Sequence, residues 1–168
     1  MANLNSDQMA VISARPSQGV DIRLGGGRRR TKVANVEIAD AADDDVMRFF
    51  RVKSGDLIHS LALSCDAISG LTDTNVGLHT IDGGAAVDDN LFDDAQTLAV
   101  ALTRQEKRVK DAAGALSSLG VETLNQPVWE LLGLTADPFL EYDVSMFIET
   151  AGSASGTVVL EMQYTAGD

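Results

Sequence analysis

The chain has 168 residues, of which 45% are hydrophobic and 23% charged, with a formal net charge of −12. That length fits one domain able to bury a core without staples, and the composition excludes a disordered chain or one built to cross a membrane by a long apolar helix. One cysteine, Cys65, excludes an internal disulfide, and the acidity excludes chain-wide attraction to nucleic acid, since phosphate repels a polyanion whose cations are not segregated.

The first residues, MANLNSDQMA, lack the basic start and apolar run of a signal peptide, so synthesis in a cytoplasm with no membrane partner is expected. Residues 1–30 hold few large apolar side chains at any period and include Pro16 and the triplet Gly25, Gly26, Gly27, so they read as a flexible arm. Between Arg15 and Lys32 the arm and its junction carry Arg15, Arg23, Arg28, Arg29, Arg30 and Lys32 against a single acid, Asp21. This is either a solvated tail or a docking arm for an acidic partner. From residue 31 to 168 the pattern is that of a single β-rich domain. TKVANVEIAD and VMRFFRVK are rich in β-branched and aromatic residues and read as strands separated by an acidic break at Asp40 and residues 43–45. DLIHSLALSCDAI alternates, placing Leu57, His59, Leu61, Leu63 and Cys65 on one face of a half-buried strand.

TNVGLHTIDGGAAV predicts a strand closed by a hairpin turn at Asp82 and Gly83, where positive φ is needed. In NLFDDAQTLAVAL, Leu91, Ala95, Leu98 and Leu102 recur at three- and four-residue spacing behind a capping Asn90, which predicts a short helix. TRQEKRVKDAAGALSSLG mixes charges without a period and reads as an exposed connection or edge carrying no site. LNQPVWELLGLTADP predicts a helical turn capped by Asn125, with Pro127 in its first turn and Gly133 as its left-handed stop. Trp129, Leu131 and Leu132 then form a structural plug over one open end of the fold, a role weighed against that of a ligand pocket. YDVSMFIET and GTVVLEMQYT, joined by AGSASG, predict a terminal antiparallel hairpin, the second strand turning Val158, Leu160, Met162 and Tyr164 to one face. Short strands with turns between them indicate an all-β jelly roll or sandwich with an extended N-terminal arm and one or two short helices.

The sequence carries no catalytic signature of the G-x-S-x-G, P-loop, G-x-G-x-x-G or H-E-x-x-H type, so no enzyme and no cofactor are expected. His59 and His79 lack metal-ligand spacing and read as sheet histidines, so no metal site is assigned. The acidic runs at 40–45 and 87–94 are solvated loops or, on their oxygen content alone, calcium collectors, although they match no EF-hand.

Three parts of the chain resemble the capsid decoration, or cement, proteins of tailed bacteriophages: LGGGRRRTKVANVEIAD; FRVKSGDLIHSLALSCDAI with TNVGLHTIDGGAAV behind it; and PVWELLGLTADPFLEYDVSMFIET with its GTVVLEMQY ending. Together they cover most of residues 24 to 165. The resemblance implies a jelly roll with an N-terminal arm, assembled as a homo-oligomer, a trimer, on the outer surface of the virion head. It implies the major capsid protein as partner, which the protein braces without chemistry. The rival from another class is a carbohydrate-binding or adhesion module of a tail or fibre, which would need exposed aromatic side chains.

Overall fold

In the computed structural model, which describes residues 28–39, 41–107, 121–152 and 154–167, alternation and bulges between them set the strands. The described residues form β1 (Arg29–Ile38), β2 (Val46–Lys53), β3 (Leu57–Cys65), β4 (Asp73–Thr80), β5 (Ala86–Gln96), β6 (Leu102–Glu106), β7 (Glu141–Thr150) and β8 (Gly156–Thr165). A 3₁₀ turn (Val121–Asn125) and a four-residue helix, α1 (Val128–Leu131), precede β7. One sheet has the order β1-β8-β3-β6 and the other β2-β7-β4-β5, with every pairing antiparallel. Each strand thus pairs with the one that mirrors it in the chain, first with last and fourth with fifth. This is the pattern of a long antiparallel ribbon curled on itself, an eight-stranded jelly roll.

The core lies between the sheets. Val158, Leu160, Met162 and Tyr164 point inward from β8 as their alternation demands, meeting Val144, Met146 and Ile148 from β7. Each such side chain contributes at most about 1.5–3 kcal/mol through removal from water. β8 and β7 are inner strands, paired on both sides. They therefore do not form the expected terminal hairpin: they lie in different sheets, and AGSASG carries the chain from one sheet to the other. Alternation specifies a strand's two faces but is silent about its neighbours.

The helix expected behind Asn90 is strand β5. Its register against β4 shifts at three places, so Leu91 and Phe92 are both buried in succession, and Leu98 reaches the core from the following loop. Bulges turn a two-residue period into spacings of three and four that resemble a helix. In β3 a bulge between Ile58 and Ser60 breaks the expected face, burying Ile58 fully and leaving His59 half-buried with Nε2 2.8 Å from Thr165 Oγ1. The β4–β5 turn forms as expected, with φ of 58° at Asp82 and 80° at Gly83.

Residues 102–106 are an edge strand, but Lys107, expected in an exposed connection, is buried. The rest of that segment, 108–120, lies outside the described residues. Helix α1 is capped differently from expectation. Asn125 ends the 3₁₀ turn, Pro127 is the N-cap, and the first-turn N–H groups of Val128 and Trp129 donate to the carbonyls of Asp56 and Ser54 in the β2–β3 turn. Backbone oxygens of another element satisfy what a side-chain cap otherwise would. Gly133, at φ 69°, follows the helix as the left-handed stop. Val128 is fully buried, Leu131 and Leu132 pack partly buried against the core, and Trp129 is half-buried.

Candidate functional site

The six expected arm cations fall into three groups. Arg15 and Arg23 lie outside the described residues. Arg28 is exposed just before β1, and Arg29 and Arg30, expected at the end of the arm, are the first two residues of β1, opposite Thr165 and Tyr164. Lys32 is half-buried within β1: its Nζ donates to the Arg51 carbonyl at 2.7 Å and lies 4.8 Å from the centre of the Tyr164 ring. β1 and β2 are successive strands at corresponding edges of the two sheets, and Lys32 ties one edge to the other.

Two further basic residues of β2, unremarked in the sequence, extend this edge. Arg51 and Lys53 join Arg30 and Lys32 around a groove of about 240 Å³ that also touches Asp56 and Glu141. Arg51 is held by its own acids, with Nε 3.1 Å from Asp143 Oδ1 and a terminal nitrogen 3.2 Å from Asp82 Oδ1. Those bonds, Asp143 first, raise its pKa above the ordinary value. Asp143 also accepts from Arg48, which donates in addition to the carbonyls of Thr80 and Gly84. Asp56 is occupied by backbone, accepting from the N–H groups of Lys53 and Gly167 at 2.9 Å each. Of the two acids that line the groove, Asp56 is thus engaged within the fold, while Glu141 is exposed opposite Lys53.

Beside the groove stands an apolar knob. Phe139 is 83% exposed and Leu140 54% exposed, and Phe139 sits at φ 55°, in the left-handed region. For a bulky residue that conformation costs about 1 kcal/mol or more and persists only when its surroundings enforce it. Here they do. The Phe139 N–H donates to Asp137 Oδ1 at 2.8 Å, Ser54 Oγ donates to the same oxygen, and Ser54 and Leu140 exchange two hydrogen bonds. A second hollow of about 190 Å³ runs alongside, sharing Lys53, Glu141 and Gly167 with the first. Sequence reading missed this knob. The available signal was two bulky apolar residues between Pro138 and the start of the strand alternation.

Other candidate groups serve the fold. His79 is buried in β4 with Nδ1 2.6 Å from Ser145 Oγ, and burial first, then the Arg48 charge, lowers its pKa below 6.5. Burial likewise pushes the Cys65 thiol up. Asp43 and Asp45 accept from the N–H groups of Ala151 and Ala42, and Asp93 is paired with Lys107. Among the described residues no cluster of His, Cys, Asp and Glu is arranged to hold a metal ion, and no helix is long and apolar enough to cross a membrane.

No protein-family model and no curated protein matches the chain significantly. Its fold is similar to that of a solved chain of the cyanophage Pam1 capsid asymmetric unit, with a TM-score of 0.51 and 19% identity over 99% of both chains. At that identity the likeness is one of fold. Fold and surface together define an all-β jelly roll with a basic edge and an apolar knob on an acidic body.

Proposed function

We propose that this is a non-enzymatic virion structural protein of a tailed phage, which binds the outside of the head and stabilises the major capsid lattice. The observation that carries the reading is the end-to-end likeness in fold to a chain of a phage capsid unit. The residue motifs that resemble decoration proteins point the same way. The basic edge supplies a means of attachment: a cationic face on a molecule of net charge −12 orients it on an acidic surface. A protein that binds only the closed lattice stabilises that lattice by linkage, with no reaction needed. The arm, which ends where β1 begins at Arg29, extends the basic edge of a single body, and the resemblance to decoration proteins, together with edge strands that need cover, points to assembly as a closed homotrimer. A carbohydrate module would need several exposed rings, whereas Phe139 is the one exposed aromatic among the large hydrophobic side chains of the described residues.

The test is sedimentation of the full chain with purified heads that lack it, alongside heat release of DNA from those heads. The unaltered chain should co-sediment and raise the temperature of release. Replacing Arg28, Arg29 and Arg30 together by Ala should leave melting unchanged, since all three are exposed, and weaken binding by at least about tenfold, less so at high salt. Heads that neither bind the unaltered chain nor gain stability from it would overturn the reading.

A further inference from the structure

We propose that Phe139, with Leu140 beside it, is the apolar anchor of a docking face whose basic half is the β1–β2 groove, and that this face fits an acidic surface of another protein. Under the functional reading above, on which this rests, that surface belongs to the head. Three observations converge on it. An aromatic ring is held 83% exposed in a backbone conformation that glycine would adopt at lower cost, so the position keeps a side chain that the fold does not use. Its loop is fastened by Ser54 and Asp137, so the backbone that carries the ring has little mobility left to lose on binding. Finally, the neighbouring groove gathers four cations, Arg30, Lys32, Arg51 and Lys53, against two acids, Asp56 and Glu141.

Six of the 13 Lys and Arg residues of the chain, Arg28, Arg29, Arg30, Lys32, Arg51 and Lys53, lie on this one edge. Among the described residues, the Arg30 and Lys53 side chains have no ion-pair partner, whereas Arg51 has two. Complementarity therefore selects an acidic partner, with Arg30 and Lys53 steering and the ring supplying the desolvated centre typical of protein interfaces. A second copy of this chain, itself acidic, is the competing occupant, and sedimentation of the chain alone separates the two.

The variants Phe139→Gly and Lys53→Glu separate the two halves of the face. Each full-length variant is compared with the unaltered chain for melting, for sedimentation alone, and for binding to purified heads lacking the protein at low and high salt. Phe139→Gly should melt at or above the unaltered temperature yet bind at least about tenfold more weakly at both salt concentrations. Lys53→Glu should bind more weakly at low salt, the difference shrinking as salt rises. If Phe139→Gly binds heads as tightly as the unaltered chain, the anchor is overturned and the functional reading stands. Heads that fail to bind even the unaltered chain overturn both. Self-association lost in Phe139→Gly, with head binding retained, would make a second copy the occupant and overturn the acidic-partner assignment.

Discussion

Lys107 shows what a single buried charge does in this fold. Its side chain is 4% exposed, its Nζ lies 2.8 Å from Asp93 Oδ2 with that carboxylate 3% exposed, and it also donates to the Gln96 side chain. The backbone N–H of the same residue donates to the Leu61 carbonyl. The pair thereby fastens the chain just beyond β6 to β5, holding together two strands at corresponding edges of opposite sheets. Burying two ions costs desolvation that their attraction offsets only in good geometry, so the pair contributes little net stability while making each partner indispensable to the other. Lys107→Met should cost about 3–5 kcal/mol in urea unfolding, because Asp93 is left charged and buried. The double change Lys107→Met with Asp93→Leu should recover most of that loss. A single variant as stable as the parent would mean that Asp93 is solvated.

At the scale of elements, close approach of backbone replaces side-chain packing where β4 meets β5. A Cβ added at Gly77 would lie 2.1 Å from the Asp88 carbonyl oxygen, so no rotamer change relieves it and the strands must part. Gly77→Ala is expected to cost about 3 kcal/mol by denaturant midpoint, and to loosen amide protection in β4 and β5 before the other strands. An unchanged midpoint would show that the β4–β5 pair shifts freely. Helix α1 follows the same logic beside the β2–β3 turn. Four residues cannot be stable alone, and they hold here because Val128 is fully buried and the carbonyls of Ser54 and Asp56 receive the first-turn N–H groups.

For the whole molecule, the pairing of β1 with β8 joins residues 29–38 to 156–165, so the ends of the described fold close one sheet. Contacts this far apart in sequence make folding slow, on the order of milliseconds to seconds for such topologies. They also fix where the chain can be shortened. A chain beginning at Arg28 keeps all of β1 and should melt like the full chain, whereas one beginning at Val46 loses β1, exposes the edge of β8 and should aggregate on heating. Equal melting and solubility of the two would contradict the closure of the sheet by β1.

Several features were legible in the amino-acid order because they are local. Alternation in GTVVLEMQYT marked the inward face of β8, VMRFFRVK matched β2 to the residue, and the Asp82-Gly83 pair set its turn because few residues tolerate positive φ. Cation clustering from Arg28 to Lys32 was visible for the same reason. What required tertiary structure was every fact that depends on a partner distant in sequence. Bulges against β4 made β5 resemble a helix, and the sheet assignment separated β7 from β8. Arg51 and Lys53 joined the basic edge only when β2 came to lie by β1. Phe139, which the sequence reading did not single out, is exposed in a loop that Ser54, 85 positions earlier, fastens to the β2–β3 turn. Periodicity reports which way a side chain points within its own strand, while burial and charge clustering are properties of neighbours, and neighbours are chosen by the pairing of strands.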